Sequence, residues 1–153
     1  MNHLVKTPCN GICSTVFGDL VCRGCKRFNH EVINWNLYSD HEKQAIWQRL
    51  NQLLAQVITP KLKISQPSVF EQKLKTEAIC HVPLAAVQFQ IYQLLVKKAH
   101  QIRQFEAYGL RVQPAFGSWT AMALKEAIEH DYLQLSAAYY QRRIAPGLQQ
   151  ACD

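Results

Sequence analysis

The chain has 153 residues and a mass of 17.6 kDa, which fits one ordinary domain or a small module joined to a larger one and excludes two large domains. Hydrophobic residues make up 48% and charged residues 18%, so the composition favours a folded core over disorder. The formal net charge of +6 favours an acidic partner without requiring one.

The sequence lacks an apolar N-terminal stretch of signal-peptide length and the roughly 18 uninterrupted apolar residues of a membrane span. We therefore expect a cytoplasmic protein that does not act in a membrane. Because cytosolic thiols are kept reduced, closely spaced cysteines there favour a metal or redox site over a disulfide framework.

The first predicted element is a small β-hairpin. Two β-prone runs, residues 14–17 and 20–22, flank Gly18 and Asp19, and glycine is favoured at the first position of a type II′ turn. One pair of cysteines precedes this hairpin, and a second pair lies at its end.

Two helices are predicted after the hairpin. Asn29 can cap a short helix that reaches Trp35. Ser39 and Glu42 have the spacing of a capping box, and the apolar residues that follow recur every three or four positions. We expect this second helix to end near Pro60.

The C-terminal part is predicted to be helical as well. Ser68 has the spacing of a second capping box, at the start of a third helix. A fourth helix is predicted from Pro83 to a glycine cap at Gly109, and a fifth from a Ser118 cap to a point before Pro146.

This pattern divides the chain into three parts. Residues 1–58 form a four-cysteine metal-binding module, residues 59–67 a connector, and residues 68–146 a helical domain. The predicted fold class is mainly α, with a small metal-knuckle β-hairpin at the N-terminus followed by an antiparallel helical bundle or hairpin.

Four of the six cysteines lie close together and are candidate metal ligands. They are Cys9, Cys13, Cys22 and Cys25. Cysteine pairs on turns at the two ends of a hairpin can bring four thiolates to one metal. Tetrahedral thiolate sites suit Zn(II), and the same ligands can hold a [4Fe-4S] or [2Fe-2S] cluster. The hairpin layout favours structural Zn(II), and the iron-sulfur cluster is the alternative.

Basic residues surround the second cysteine pair. Arg23, Lys26 and Arg27 are candidate contacts for a nucleic acid or another acidic partner. In the alternative interpretation, the same three residues offset the charge of the thiolates.

Residues around the four cysteines form a wider pattern. They are Pro8, Cys9, Gly11, Cys13, Cys22, Gly24, Cys25, Arg27, Glu31, Ile33, Trp35, Glu42, Lys43 and Leu50. In these residues the N-terminal segment resembles a bacterial family of short proteins catalogued as domain of unknown function 1289 and described as predicted iron-sulfur proteins. The resemblance covers about the first 50 to 55 residues and implies four-cysteine metal binding.

The sequence contains no recognised catalytic motif: a glycine-rich phosphate loop, H-E-x-x-H, G-x-S-x-G and an acidic cluster for Mg(II) are all absent. We therefore expect a non-enzymatic metal-binding module that mediates interaction with a protein or a nucleic acid. The alternative function is that of an iron-sulfur protein in electron transfer or in redox or iron sensing.

Overall fold

The computed structural model of the protein describes residues 5–11 and 13–150. The architecture is mainly helical, as the sequence predicts, and short 3-10 segments connect several of the helices. The helices are α1 (Asn29–Asn34), α2 (Asp40–Ile58), α3 (Pro67–Thr76), α4 (Val87–Lys98), α5 (Ala121–Tyr139) and α6 (Ala145–Gln150). The strands are β1 (Leu62–Ile64) and β2 (Leu110–Val112).

The contacts group the chain into two compact units. The first unit joins the described residues of 1–53 and 131–153, and the second unit is 54–130. The division therefore falls within α2 and within α5. The domain boundaries expected from the sequence, at residue 58 and around a connector at 59–67, stay a prediction.

The core of the first unit combines residues from both ends of the chain. Phe28 is completely buried, and its ring meets Tyr140 edge-on at a centroid distance of 5.1 Å. Val21 belongs to the same cluster. The hydroxyl of Tyr132 donates a hydrogen bond of 3.3 Å to the carbonyl of Leu50. The C-terminal helical stretch thus packs against the cysteine-bearing segment within one unit.

The capping box predicted at the start of α2 is present. The backbone N–H of Ser39 donates to the Glu42 carboxylate over 3.1 Å, and the N–H of Glu42 donates to the Ser39 hydroxyl over 3.2 Å. Leu54 and Ile58 on the apolar face are fully buried. The helix ends at Ile58, close to the proline that the sequence predicts will stop it.

In the second unit, β1 and β2 form a two-stranded antiparallel sheet. Lys63 stands opposite Arg111 in the register, with Leu62 opposite Val112. Segments of the chain separated by more than forty residues are joined in this way. β1 lies inside the stretch that the sequence analysis interprets as a connector.

Gly109 fixes the approach to β2. It has a left-handed backbone with φ of 71° and caps the 3-10 helix Phe105–Tyr108. Its carbonyl accepts hydrogen bonds from the N–H groups of Ser65 and Gln66, over 2.8 and 3.1 Å. A Cβ at this position would lie 2.5 Å from the Gln66 carbonyl oxygen, so a side chain cannot be accommodated without a backbone shift.

Several helix starts differ from the sequence predictions. α3 begins at Pro67 and has no side-chain cap, so Ser68 does not act as one. α4 begins at Val87 rather than at Pro83. α5 is capped by Thr120 instead of Ser118, because the Thr120 hydroxyl accepts the N–H of Ala123 over 3.1 Å.

The C-terminal helix also extends further than predicted. After α5, the chain passes through the π-helical segment Tyr140–Ile144 and continues as α6, which includes Pro146. Proline is tolerated near the start of a helix, and a π-helical segment is an irregularity at which the regular hydrogen-bond ladder is already changed. Among the described helices, none is both long and apolar enough to span a membrane.

The predicted N-terminal hairpin is not what the described residues form. Residues Ser14–Phe17 are a 3-10 helix, closed by a 3.1 Å hydrogen bond from the Gly18 N–H to the Thr15 carbonyl. Gly18 has φ of 95° and ψ of 3°, whereas the first central residue of a type II′ turn requires ψ of about −120°. Strand-like pairing is limited to an isolated bridge between Val21 and Phe28.

Candidate metal site

The first cysteine pair flanks a loop with a left-handed glycine. Gly11 has φ of 90°, and its N–H donates to the Cys9 sulfur over 3.4 Å. Cys9 is exposed, whereas Cys13 is half-buried with its sulfur 3.1 Å from the Thr15 hydroxyl. This loop is therefore open to solvent at Cys9 and partly enclosed at Cys13.

The second pair lies on a tight turn that the Val21–Phe28 bridge closes. The N–H of Cys22 donates to the Arg27 carbonyl over 2.9 Å, and the N–H of Lys26 donates back to the Cys22 carbonyl over 2.8 Å. Cys22 and Cys25 are both buried. The turn thus holds two thiols side by side away from water.

Two hydrogen bonds tether the first pair's loop to this turn. The side-chain amide of Asn10 donates to the Gly24 carbonyl over 3.1 Å, and the N–H of Arg23 donates to the Ser14 hydroxyl over 2.8 Å. Within residues 5–11 and 13–150, however, no three His, Cys, Asp or Glu side chains are close enough to form a metal-binding group. The two hydrogen bonds therefore bring the cysteine-bearing segments together without gathering three thiols at one point among the described residues.

The two buried thiols have opposite electrostatic environments. Burial disfavours the Cys22 thiolate, but backbone N–H donors from Cys25, Ser14 and Gly24 outweigh it and lower the pKa of Cys22. Burial raises the pKa of Cys25, and the Arg27 guanidinium only partly offsets this effect. The arrangement prepares Cys22 to carry negative charge, as a metal-binding thiolate must.

The three basic residues predicted beside the cysteines are placed differently from one another. Arg23 is exposed and pairs with Asp19 over 3.3 Å. Lys26 is completely buried, and its ammonium donates to the carbonyls of Arg23 and Gly24. Arg27 is 4% exposed, and its Nε donates to the Cys25 sulfur over 3.2 Å. Only Arg23 is therefore presented to solvent, and the other two face the cysteine turn.

Lys26 has a backbone conformation that is rare for a residue with a side chain. Its φ is 66°, in the left-handed region that usually favours glycine. The ammonium also lies 5.2 Å from the centroid of the Tyr132 ring. The side chain thus satisfies two carbonyl groups of the turn while its ammonium stays out of water. Sequence analysis does not predict the burial of Lys26, since lysine is rarely buried and nothing in its neighbours signals it.

A buried ion pair supports the same turn from α1 and α2. The Glu31 carboxylate accepts the Phe28 N–H over 2.8 Å and a bidentate pair of bonds from Arg49, each of 2.6 Å. The Arg49 guanidinium lies 4.0 Å from the centroid of the Phe28 ring. Because Glu31 and Arg49 are eighteen positions apart, no local pattern could reveal their pairing.

The segment before Cys9 is also fixed to α2. The indole N–H of Trp47 donates to the Lys6 carbonyl over 2.8 Å, and Pro8 is buried. Trp47 is itself almost completely buried. This bond positions the first cysteine relative to the helix.

Comparison with known proteins locates the same segment. The model of the family described as "Protein of unknown function (DUF1289)" matches residues 7–54, which include all four clustered cysteines. The chain belongs to this family. The uncharacterized protein YdhL of Escherichia coli K12 and that of Shigella flexneri are each 39% identical over 64 residues, which is 42% of this chain and 75% of theirs. No solved structure matches the chain.

Proposed function

We propose that Cys9, Cys13, Cys22 and Cys25 bind one metal centre, with structural Zn(II) favoured, and that the module is a non-enzymatic binding unit for another protein. The observation that carries the proposal is the pair of hydrogen bonds, from the Asn10 amide to the Gly24 carbonyl and from the Arg23 N–H to the Ser14 hydroxyl, that joins the two cysteine-bearing segments. Backbone N–H donors around the Cys22 thiol, which lower its pKa despite burial, would also offset part of the charge that thiolate ligands bring to a site.

The tethers between the cysteine pairs support ligation by all four residues. The Asn10 and Ser14 hydrogen bonds hold the exposed loop against the buried turn. The proposal requires Cys9 and Cys13 to turn toward a shared centre, and a change of side-chain rotamer costs little beside the free energy of zinc binding. A metal bound by all four cysteines would link the two cysteine-bearing segments through metal–sulfur bonds, which are stronger than the hydrogen bonds that join them otherwise.

The test is metal analysis of anaerobically purified protein, with its visible absorption spectrum. About one zinc per chain and no colour is the expected result. Cys22→Ser should lose the metal, whereas Cys80→Ser, which changes an exposed cysteine outside the cluster, should keep it. Iron with equivalent sulfide and a brown chromophore would replace zinc by a cluster on the same cysteines. The proposed site would be overturned if neither the wild-type protein nor Cys80→Ser contained metal.

The exposed surface between the cysteine pairs supports a protein partner. Val16, Phe17 and Leu20 are 73%, 88% and 50% exposed, although all three are large apolar side chains. Lys26 and Arg27 are buried in the turn, which leaves Arg23 of the basic group for a phosphate contact. An apolar loop of this kind favours a protein surface over a nucleic acid.

Quantitative affinity purification with matched variants tests the partner. Phe17→Ser should lose the partner with its metal content unchanged. Leu148→Ser removes another exposed apolar side chain of the first unit and should retain it. Capture should also persist at high salt, because the contact is apolar. Loss of the captured material on nuclease treatment would instead assign the surface to nucleic acid.

A further inference from the structure

A cavity in the second unit has a chemistry unrelated to the cysteines. It encloses about 420 Å³, a size typical of small-ligand sites. Arg103 and Arg111 line it together with Trp119 and Glu106. All of its lining residues fall between positions 102 and 121, so the whole cavity belongs to the second unit.

The cations at this cavity are uncompensated within the part of the chain that the structure describes. Arg103 and Arg111 are exposed and form no ion pair or hydrogen bond with their side chains there. Glu106 also lines the cavity but pairs with neither of them. Guanidinium groups are suited to two-point recognition of phosphate oxygens.

The sheet places a further cation, Lys63, beside Arg111, although Lys63 is not one of the residues that line the cavity. Lys63 and Arg111 stand directly opposite each other across β1 and β2, and both are exposed on the same face. Directly opposed like charges destabilise an antiparallel pair, because their Cβ atoms are only about 5 Å apart. A bound anion would remove that repulsion.

The aromatic side of the cavity is Trp119. It is 40% exposed, and Phe116 holds its ring edge-on at a centroid distance of 4.9 Å. A 3.0 Å hydrogen bond from the backbone N–H of Trp119 to the backbone carbonyl of Phe116 closes the turn between them. The indole is thus fixed by its neighbour but keeps accessible surface for a planar ligand.

We propose that this cavity binds a nucleotide unit. Trp119 would stack on the base, Arg103 and Arg111 would bind the phosphate, and Glu106 would accept hydrogen bonds from hydroxyl or amino groups. A nucleotide combines an aromatic ring, hydrogen-bond donors and a phosphate dianion in one molecule, as these three kinds of side chain require. An inorganic anion would use only the arginines.

Calorimetric titration of the full chain with adenosine monophosphate tests the proposal. Arg103→Gln and Arg111→Gln should each weaken binding about tenfold or more, since each removes a charge-assisted contact. Trp119→Leu should weaken adenosine monophosphate about tenfold and leave inorganic phosphate unaffected. Arg142→Gln, an exposed arginine of the first unit, is the matched control and should bind like the wild type.

A short single-stranded oligodeoxyadenylate distinguishes the source of the nucleotide. Binding of the free monophosphate identifies a small-molecule ligand. Binding of the oligonucleotide alone, with the same dependence on the two arginines and Trp119, identifies a unit within a single strand. Failure of both ligands to bind at concentrations up to about 10 mM would overturn the proposal, as would equal affinity in the wild type and all three site variants. Circular dichroism confirms that the variants are folded.

Discussion

The two units differ in what fills their interiors. Four of the five buried charged residues in the described part of the chain belong to the first unit. They are Lys26, Arg27, Glu31 and Lys43, with Lys61 in the second unit. Both units bury apolar residues, but the second has the two-stranded sheet and combines fully buried residues such as Leu94, Leu110 and Leu124 with one buried charge among its described residues. The first unit therefore depends on satisfied charges, and loss of a single partner should affect it strongly.

The segment that carries the cysteines shows this dependence most clearly. Between residues 13 and 28, the described secondary structure is one 3-10 helix and one isolated bridge. Side-chain and cation contacts replace a regular ladder there. Such a segment gains more from a metal link than a helix with an apolar face would, because a small core supplies little folding free energy.

The largest effect expected from this contrast follows metal removal. With structural zinc worth about 10–16 kcal/mol in small sites, chelation should remove amide-exchange protection from residues 13–28 and leave the second unit protected. Hydrogen exchange read by mass spectrometry measures both units in one sample. Readdition of zinc should restore protection. Equal loss of protection in residues 54–130 would show that the difference between the units is not a matter of metal binding.

The buried ion pair is expected to be the next most sensitive feature. Glu31→Gln leaves the Arg49 guanidinium, whose side chain is 12% exposed, without its anion and should lower the free energy of unfolding by about 3–5 kcal/mol. The matched control is Asp19→Asn, which breaks the exposed pair with Arg23 and should cost less than about 1 kcal/mol. Urea unfolding at neutral pH compares the two, and similar losses would contradict the role given to burial.

In the second unit, we expect stability to be most sensitive to substitution of Gly109, because its backbone conformation and close contacts require glycine. Gly109→Ala should cost about 3 kcal/mol, since alanine is strained at φ of 71° and its Cβ would meet the Gln66 carbonyl. Gly147→Ala is the control, because a Cβ at Gly147 has no neighbour within 4 Å and alanine favours the helix. Thermal unfolding should show a lower midpoint for the first variant only. An unchanged unfolding midpoint for Gly109→Ala would mean that the backbone before β2 can shift to accommodate the alanine side chain.

The sequence predicts α2 and α5 well because their signals are periodic and local. α2 has a capping box and buries its apolar face, and Leu124, Ile128 and Tyr132 of α5 are buried at the spacing expected for one face. Such patterns extend over several turns, so a single misjudged residue does not change the result. The family resemblance of the first 50 or so residues is confirmed by the match over residues 7–54.

The sequence predicts the structure of residues 14–28 less well, because that structure depends on contacts between residues that are distant in the sequence. The runs around Gly18 have β propensity, but Val16 and Phe17 are exposed and no strand within residues 5–11 and 13–150 pairs with them. The Ser14 hydroxyl instead accepts the Arg23 N–H and stabilises a compact loop. The buried positions of Lys26 and Arg27 depend on contacts with Tyr132 and the cysteine turn that composition does not encode. The metal ligands themselves stay a prediction.

The smallest expected effect separates two motifs that look alike in the sequence. Ser39 and Ser68 each precede a glutamate by three positions, but only Ser39 makes the reciprocal hydrogen bonds of a capping box. Ser39→Ala should therefore destabilise the protein by about 1 kcal/mol, whereas Ser68→Ala should change the free energy of unfolding by less than about 0.5 kcal/mol. Pro67 explains the difference: its fixed φ starts α3 two residues earlier than a Ser68 cap would, and leaves the Ser68 hydroxyl inside the first turn. Chemical denaturation of the two variants measures it, and equal losses would show that both serines act as caps in solution.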